Sequence, residues 1–308
     1  MAENPIIDLI GRQQWLGWLG DRVAPLVRRA FAAAGVPGQR TKDVLHGTWL
    51  GHPLHPVLTD IPVGAWTAAA VFDAAAAVSP NVGLDRAASG AILVGLAGAV
   101  GSAVTGLTDW SETDGRARRI GLLHGVLNLT ATGFYVASLV DRSRDRTSRG
   151  RLFGWLGYLI AGSSAYLGGA LVYTDQIGVD HAYGQDVPEE FTRVAEQSEV
   201  QEGRPKRVLV ADVPVVLVRE RGRFYALADR CAHLGGPLSE GTLEDGTIAC
   251  PWHGSRYKLE DGSVVNGPTT HPQPRYEVRV REGHIEIRMP SEQPEIQQAG
   301  AEGERKAG

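Results

Sequence analysis

Cysteine is nearly absent from this chain: Cys231 and Cys250 are the only two in 308 residues. Any disulfide within the chain would have to join that pair, so a secreted disulfide framework is excluded and a reducing compartment fits better. An excess of positive charge is also lacking. The formal net charge of −4 argues against a nucleic-acid partner. The N-terminus has no short basic stretch leading directly into an apolar core and a small-residue cleavage site, so no removable signal peptide is expected. The most informative absence is local. Charged side chains avoid long windows ahead of Asp175 and become dense after it, so the two halves of the chain read differently.

Three of these windows contain no charged residue and are long enough for a hydrocarbon core: Ala87 to Leu107, Ile120 to Val140 and Leu152 to Tyr173. A fourth, Val57 to Val78, is interrupted only by Asp60 near its start and Asp73 near its end, where an acid can face a helix interface or the headgroups. A soluble Ala-rich bundle is the alternative, and uncharged windows of this length argue against it. Small residues recur at four-residue spacing (Gly98, Ser102, Gly106; Gly157, Ala161, Ala165, Gly169), which lets helices approach closely in lipid. A four-helix transmembrane bundle over residues 45–174 is expected.

Residues 1–44 read as an amphipathic segment lying in the membrane interface. Ile6, Leu9, Trp15, Leu19, Val23 and Phe31 alternate with Arg12, Arg22, Arg28 and Arg29, too many charges for a span. Pro25 is expected to bend or divide it. Four spans put this segment, the loop between spans two and three, and the C-terminal half on one side of the membrane. Arg and Lys are more numerous on that side, which favours a cytoplasmic placement.

The same side collects histidines. His46, His52 and His55 precede the first span, His124 opens the third, and His181 follows the fourth. His52 and His55 each precede a proline and are expected in an ordered, non-helical turn. A membrane-side site of His52, His55, Asp60, Asp109 and His124 is conceivable. Haem b held by His124 with His52 or His55, or a quinone or metal site drawing on the two aspartates, are its functional readings. Interfacial packing is the plain structural one. The run Gly51-His52-Pro53-Leu54-His55-Pro56, followed by Thr59-Asp60-Ile61-Pro62, resembles a family of bacterial four-helix membrane proteins with no established activity. The resemblance spans about Leu45 to Tyr173 and implies the membrane fold alone.

Residues 175–206 are acidic and read as a linker, and residues 291–308 as a disordered polar tail. Between them, over 207–290, short β-branched runs (Val208 to Val210, Val215 to Val218, Phe224 to Leu227, Arg275 to Val280, His284 to Met289) imply a small all-β domain of antiparallel sheets. Set among them is Cys231-Ala232-His233, then sixteen residues, then Cys250-Pro251-Trp252-His253. Each half supplies one thiolate and one imidazole. Two such halves suit a two-iron cluster, with Cys231 and Cys250 on one iron and His233 and His253 on the other. A zinc finger pairs two Cys in one knuckle and two His in another, and here each knuckle mixes them.

This arrangement resembles the Rieske [2Fe-2S] domain family over about Arg207 to Arg288. The respiratory members of that family usually carry two further cysteines in a disulfide. Gly236 and Trp252 stand at those places, so the resemblance is to Rieske ferredoxins and oxygenase-associated domains. Ser255 and Tyr257 stand where higher-potential members place hydroxyls that bond the cluster sulfurs, which implies an intermediate potential. The whole reads as a multi-pass cell-membrane protein carrying out one-electron transfer between a protein redox partner and a membrane-side partner. Supplying electrons to a separate oxygenase, or serving as a redox-sensing or assembly anchor, are the alternatives. A complete oxygenase needs a further mononuclear iron site, for which the chain has no room.

Overall fold

The computed structural model describes residues 5–79 and 81–290; the expected tail at 291–308 lies outside them, as do residues 1–4. Two compact units are present, one made of residues up to Gly47 with Pro53–Gly178, the other of Thr48–His52 with the residues from Val179.

In the first unit, four helices are long and apolar enough to cross a membrane: α4 (Leu54–Val78), α5 (Val82–Ser111), α6 (Gly115–Ser143) and α7 (Thr147–Tyr173). Their large aliphatic side chains point outward, with Val100 66%, Leu129 74% and Leu159 63% exposed, as lipid-facing residues do. The interior is small and aromatic. Gly95 lies against Trp66, Gly98 against Ile61 and Gly157 against Tyr135, so close that an added Cβ at Gly95 would come within 2.2 Å of the indole. Trp66 and Tyr135 stack at the centre with ring centroids 4.2 Å apart.

The first and third spanning helices meet through pairs of side chains. His55 faces His124, Trp66 faces Tyr135, and Asp73 bonds Arg142 at 2.5 Å. In every pair the partner is 69 positions further along. The constant offset means that α4 and α6 run parallel and in register along this seam. Asp73 is fully buried, and Arg142, which follows the uncharged window of the third span in sequence, reaches back into the interior to meet it.

Ahead of the spans lie three helices, α1 (Pro5–Gly11), α2 (Gln14–Ala33) and α3 (Gly35–His46). Of the expected bend or division at Pro25, division is absent: Pro25 lies inside α2, and the chain divides at Gln13 and Ala34 instead. A proline removes the amide that would bond the carbonyl four residues back, here that of the exposed Asp21, which solvent or headgroups can satisfy. Helices α1 and α2 bury Ile7, Leu16, Gly20 and Ala24 and expose Ile6, Leu9, Trp15 and Trp18, an apolar outer face suited to the interface. Arginines at the start of α6 staple them down: Arg116 bonds Asp8 at 3.0 Å, Arg118 bonds Asp21 at 2.6 Å, and Arg119 donates to the Gly11 carbonyl at 2.7 Å. His55, expected in a turn, is the second residue of α4, where Pro56 is tolerated because first-turn amides have no helical partner.

The second unit is all-β. A six-stranded antiparallel sheet has the order β1 (Thr192–Glu196), β10 (His284–Arg288), β9 (Arg275–Arg281), β4 (Arg223–Ala228), β3 (Val213–Glu220), β2 (Lys206–Val210). A four-stranded one runs β5 (Thr242–Glu244), β6 (Thr247–Ala249), β7 (Arg256–Lys258), β8 (Val264–Asn266). The stretch read as an acidic linker, 175–206, is largely part of this unit. Its acids alternate with apolar residues that the sheet buries, Ala182, Val187, Ala195 and Val200. Thr192–Glu196 pairs with β10, and the Tyr276 hydroxyl donates to the Gln185 carbonyl at 2.6 Å. Charge density here marks the solvent face of a strand, not a tether.

Candidate functional site

Two loops carry the Cys and His residues, one after β4 and one between β6 and β7, and they close in the same way. The Cys231 amide donates to the Gly236 carbonyl at 2.9 Å and the Gly235 amide to the Cys231 carbonyl at 2.8 Å. In the second loop the Cys250 amide donates to the Ser255 carbonyl at 2.8 Å and the Gly254 amide to that of Cys250 at 3.1 Å. Gly235 and Gly254 have φ of 75° and 77°, a left-handed conformation that a side chain would oppose. The loops present both sulfurs inward and both imidazoles outward. Cys231 and Cys250 are buried, unbridged and within bonding reach of each other. His233 and His253 are half-buried, with ring centroids 5.0 Å apart and planes at 85°.

Gly236 permits this approach. A Cβ there would lie 2.9 Å from Cys250 Sγ and 2.9 Å from the Trp252 ring, so the position that holds a bridging cysteine in respiratory proteins has no room for any side chain.

The Tyr257 hydroxyl, fully buried, lies 3.1 Å from Cys231 Sγ. The bond from the Cys250 thiol holds the Cys231 thiol down, to about 7, helped by Tyr257 and against the effect of burial. That shared bond, with burial, pushes Cys250 up. Burial and the neighbouring sulfur push Tyr257 well above its ordinary value, keeping it a neutral donor. Ser255 is equally buried; its hydroxyl reaches Cys231 and accepts the Thr269 amide at 3.3 Å.

One residue in this site carries no signal of ligation, and nothing in the sequence marks it out. Gln273, from the loop ahead of β9, accepts the Ala232 amide at 3.0 Å and donates to the carbonyls of Ala228 at 2.7 Å and Arg230 at 2.8 Å. It brackets the first Cys-His loop on both sides. Asp229, also buried, accepts the Ser239 amide at 2.6 Å and closes the same loop.

The five residues of the conceivable membrane-side site are brought together only in part. His55 and His124 meet, with ring centroids 6.4 Å apart. Asp109 is instead engaged by the buried His46 at 2.6 Å, Asp60 is exposed on α4, and His52 belongs to the other compact unit.

Comparison with known proteins follows this division. Residues 190–277 match the family described as Rieske [2Fe-2S] domain, and residues 51–181 match the family described as Predicted membrane protein (DUF2231). Over 98 residues the chain is 39% identical to the 3-phenylpropionate/cinnamic acid dioxygenase ferredoxin subunit of Escherichia coli (strain K12), covering 32% of this chain and 92% of that subunit. Over 125 residues it is 26% identical to apoptosis-inducing factor 3 of Homo sapiens, 40% of this chain but 20% of that protein, and it spans 17% of the Mus musculus counterpart. Among solved structures, the ferredoxin of carbazole 1,9a-dioxygenase from Nocardioides aromaticivorans IC177 is 26% identical, covering 32% of this chain and 98% of that one with a TM-score of 0.32.

Proposed function

The chain belongs to the Rieske [2Fe-2S] domain family through residues 190–277, and on that premise we propose that it is a membrane-anchored one-electron carrier whose cluster is held by Cys231, Cys250, His233 and His253. The observation that carries this reading is the convergence of two loops of matching hydrogen-bond pattern, which set two unbridged cysteines side by side in the interior and two imidazoles 5.0 Å apart at the rim. The donor set fits the group, since two thiolates and two neutral imidazoles are what an asymmetric two-iron cluster requires.

When bound, the cluster supplies a one-electron couple whose potential is raised because imidazoles replace two thiolates. Ala232, Leu238, Ile248 and Leu259, all fully buried, keep water from the sulfur side. Tyr257 and Ser255 donate toward sulfur and favour the more negative, reduced state. Beside His253 the Trp252 ring is 57% exposed, and this rim is where a protein redox partner would dock. Helices α4 to α7 tie the domain to the bilayer. Arg12, the arginines of α2 and those at the start of α6 favour a cytoplasmic placement for it.

Identity with a dioxygenase ferredoxin subunit over nearly that subunit's full length favours a narrower form of the reading, in which the electron goes to an oxygenase made by another polypeptide. The test of the broader form is a dithionite-reduced minus air-oxidised visible spectrum of the detergent-purified chain, with iron and acid-labile sulfide counted on the same sample. Broad bleaching with about two irons and two sulfides per chain is expected. Zinc in their place, or iron without labile sulfide, would overturn it.

A further inference from the structure

His55 and His124 face each other across the seam between α4 and α6, and their surroundings repeat. His55 Nδ1 lies 2.9 Å from the Ser102 carbonyl of α5, and His124 Nδ1 lies 2.8 Å from the Ser164 carbonyl of α7. A carbonyl only accepts, so each Nδ1 carries the proton and each Nε2 is left with its lone pair. Each ring also rests on a glycine four residues beyond that serine. A Cβ at Gly106 would come within 2.6 Å of the His55 ring, and one at Gly168 within 3.1 Å of the His124 ring. Tautomer and ring plane are therefore set twice, from opposite helices, by the same device. An Nδ1–H committed to a backbone carbonyl is the usual support of an imidazole that ligates metal through Nε2.

We infer that His55 and His124 form a bis-imidazole ligand pair for one transition-metal centre within the bundle. Ring centroids 6.4 Å apart, with planes at 88°, give the separation that a linear centre with two metal–nitrogen bonds of about 2.0–2.1 Å requires. Among the described residues no third His, Cys, Asp or Glu joins them, which excludes a closed four-ligand zinc site. Neutral donors in a bilayer also disfavour a bare divalent ion, whose charge nothing nearby would offset. What remains is a centre that asks the protein for two nitrogens only and carries little net charge. Two sources share this chemistry: a two-coordinate copper(I) ion, and iron whose other positions are filled by a dianionic macrocycle. Asn128 currently directs its amide at His124 Nε2, 3.0 Å away, and a metal would take its place.

The test uses the full chain in detergent, with the cluster's own spectrum as the check on folding. Sharp absorption bands on reduction, superimposed on the cluster's bleaching, would identify the macrocyclic source. If they are absent, titration with copper(I) against a chromophoric chelator is expected to show one ion bound per chain. Either signal should be lost, or the copper affinity fall at least tenfold, in His55→Asn and in His124→Asn. Asn128→Ala should keep or strengthen it, because the competing amide is gone, whereas a merely structural histidine would be insensitive to that change. The inference is overturned if bands or copper binding persist in the His55→Asn/His124→Asn double variant, or if the wild-type chain shows neither. Cluster iron and sulfide should be unchanged throughout, so failure here leaves the proposed electron carrier intact.

Discussion

The two halves of this protein bring chemistry-bearing side chains together by opposite routes. In the β domain the four donors come from two short stretches, and each stretch closes on itself through two backbone hydrogen bonds and a left-handed glycine. In the bundle every comparable contact joins different helices: His55 with His124, Trp66 with Tyr135, Asp73 with Arg142. A local device tolerates change elsewhere in the chain. A long-range one depends on the rotation and depth of whole helices, and its failures should spread. Substitutions at each kind of contact probe that difference.

Replacing Cys250 with Ser should abolish the cluster outright, with iron and labile sulfide falling close to zero. Far-ultraviolet circular dichroism should retain the helical signal, because the backbone hydrogen bonds of a helix lie within the helix itself. Parallel loss of helix would show that the halves do not fold independently. The converse change, Asp73→Ala, leaves a buried guanidinium with only Ser138 and the more distant Asp85, 3.9 Å away, and should cost up to about 3–5 kcal/mol of bundle stability, read as earlier thermal unfolding in detergent with cluster content unchanged. The double variant Asp73→Leu/Arg142→Met should recover most of that loss, since removing both charges also removes the desolvation cost.

Gln273→Leu sharpens the comparison inside the β domain. It leaves one amide and two carbonyls around the first loop without their partner, at about 1–3 kcal/mol for a buried unsatisfied group. The expected result is a cluster that assembles but is lost faster on warming, followed by the decay of its visible absorbance. Tyr257→Phe is the mildest. It removes one hydrogen bond to Cys231 Sγ and should lower the midpoint potential; about 1.4 kcal/mol corresponds to about 59 mV for one electron, and an unchanged redox titration would show that the hydroxyl does not act on the cluster.

Much of this architecture is legible in the order of the residues. The four spans are, because uncharged length is a property of consecutive positions. So are the main strands and the pairing of Cys231 with His233 and of Cys250 with His253, because ligands two or three positions apart must share a loop. The acidic stretch at 175–206 misleads, since charge on the outer face of β1 looks the same as charge on a tether until Val187 and Ala195 are seen buried. Pro25 does not divide its helix, because the carbonyl it leaves without an amide partner belongs to the exposed Asp21 and can be met from outside the chain.

Residence in a membrane and the offer of two thiolates and two imidazoles by one pair of loops are both readable from the chain alone, since hydrophobic length and ligand spacing are additive, local quantities. The meeting of His55 with His124, the turning of Asp109 to His46, the burial of Asp73 against Arg142 and the bracing of the first Cys-His loop by Gln273 are not. Those contacts join residues far apart in the chain, and their geometry follows from how helices and strands pack, which no single stretch of residues specifies.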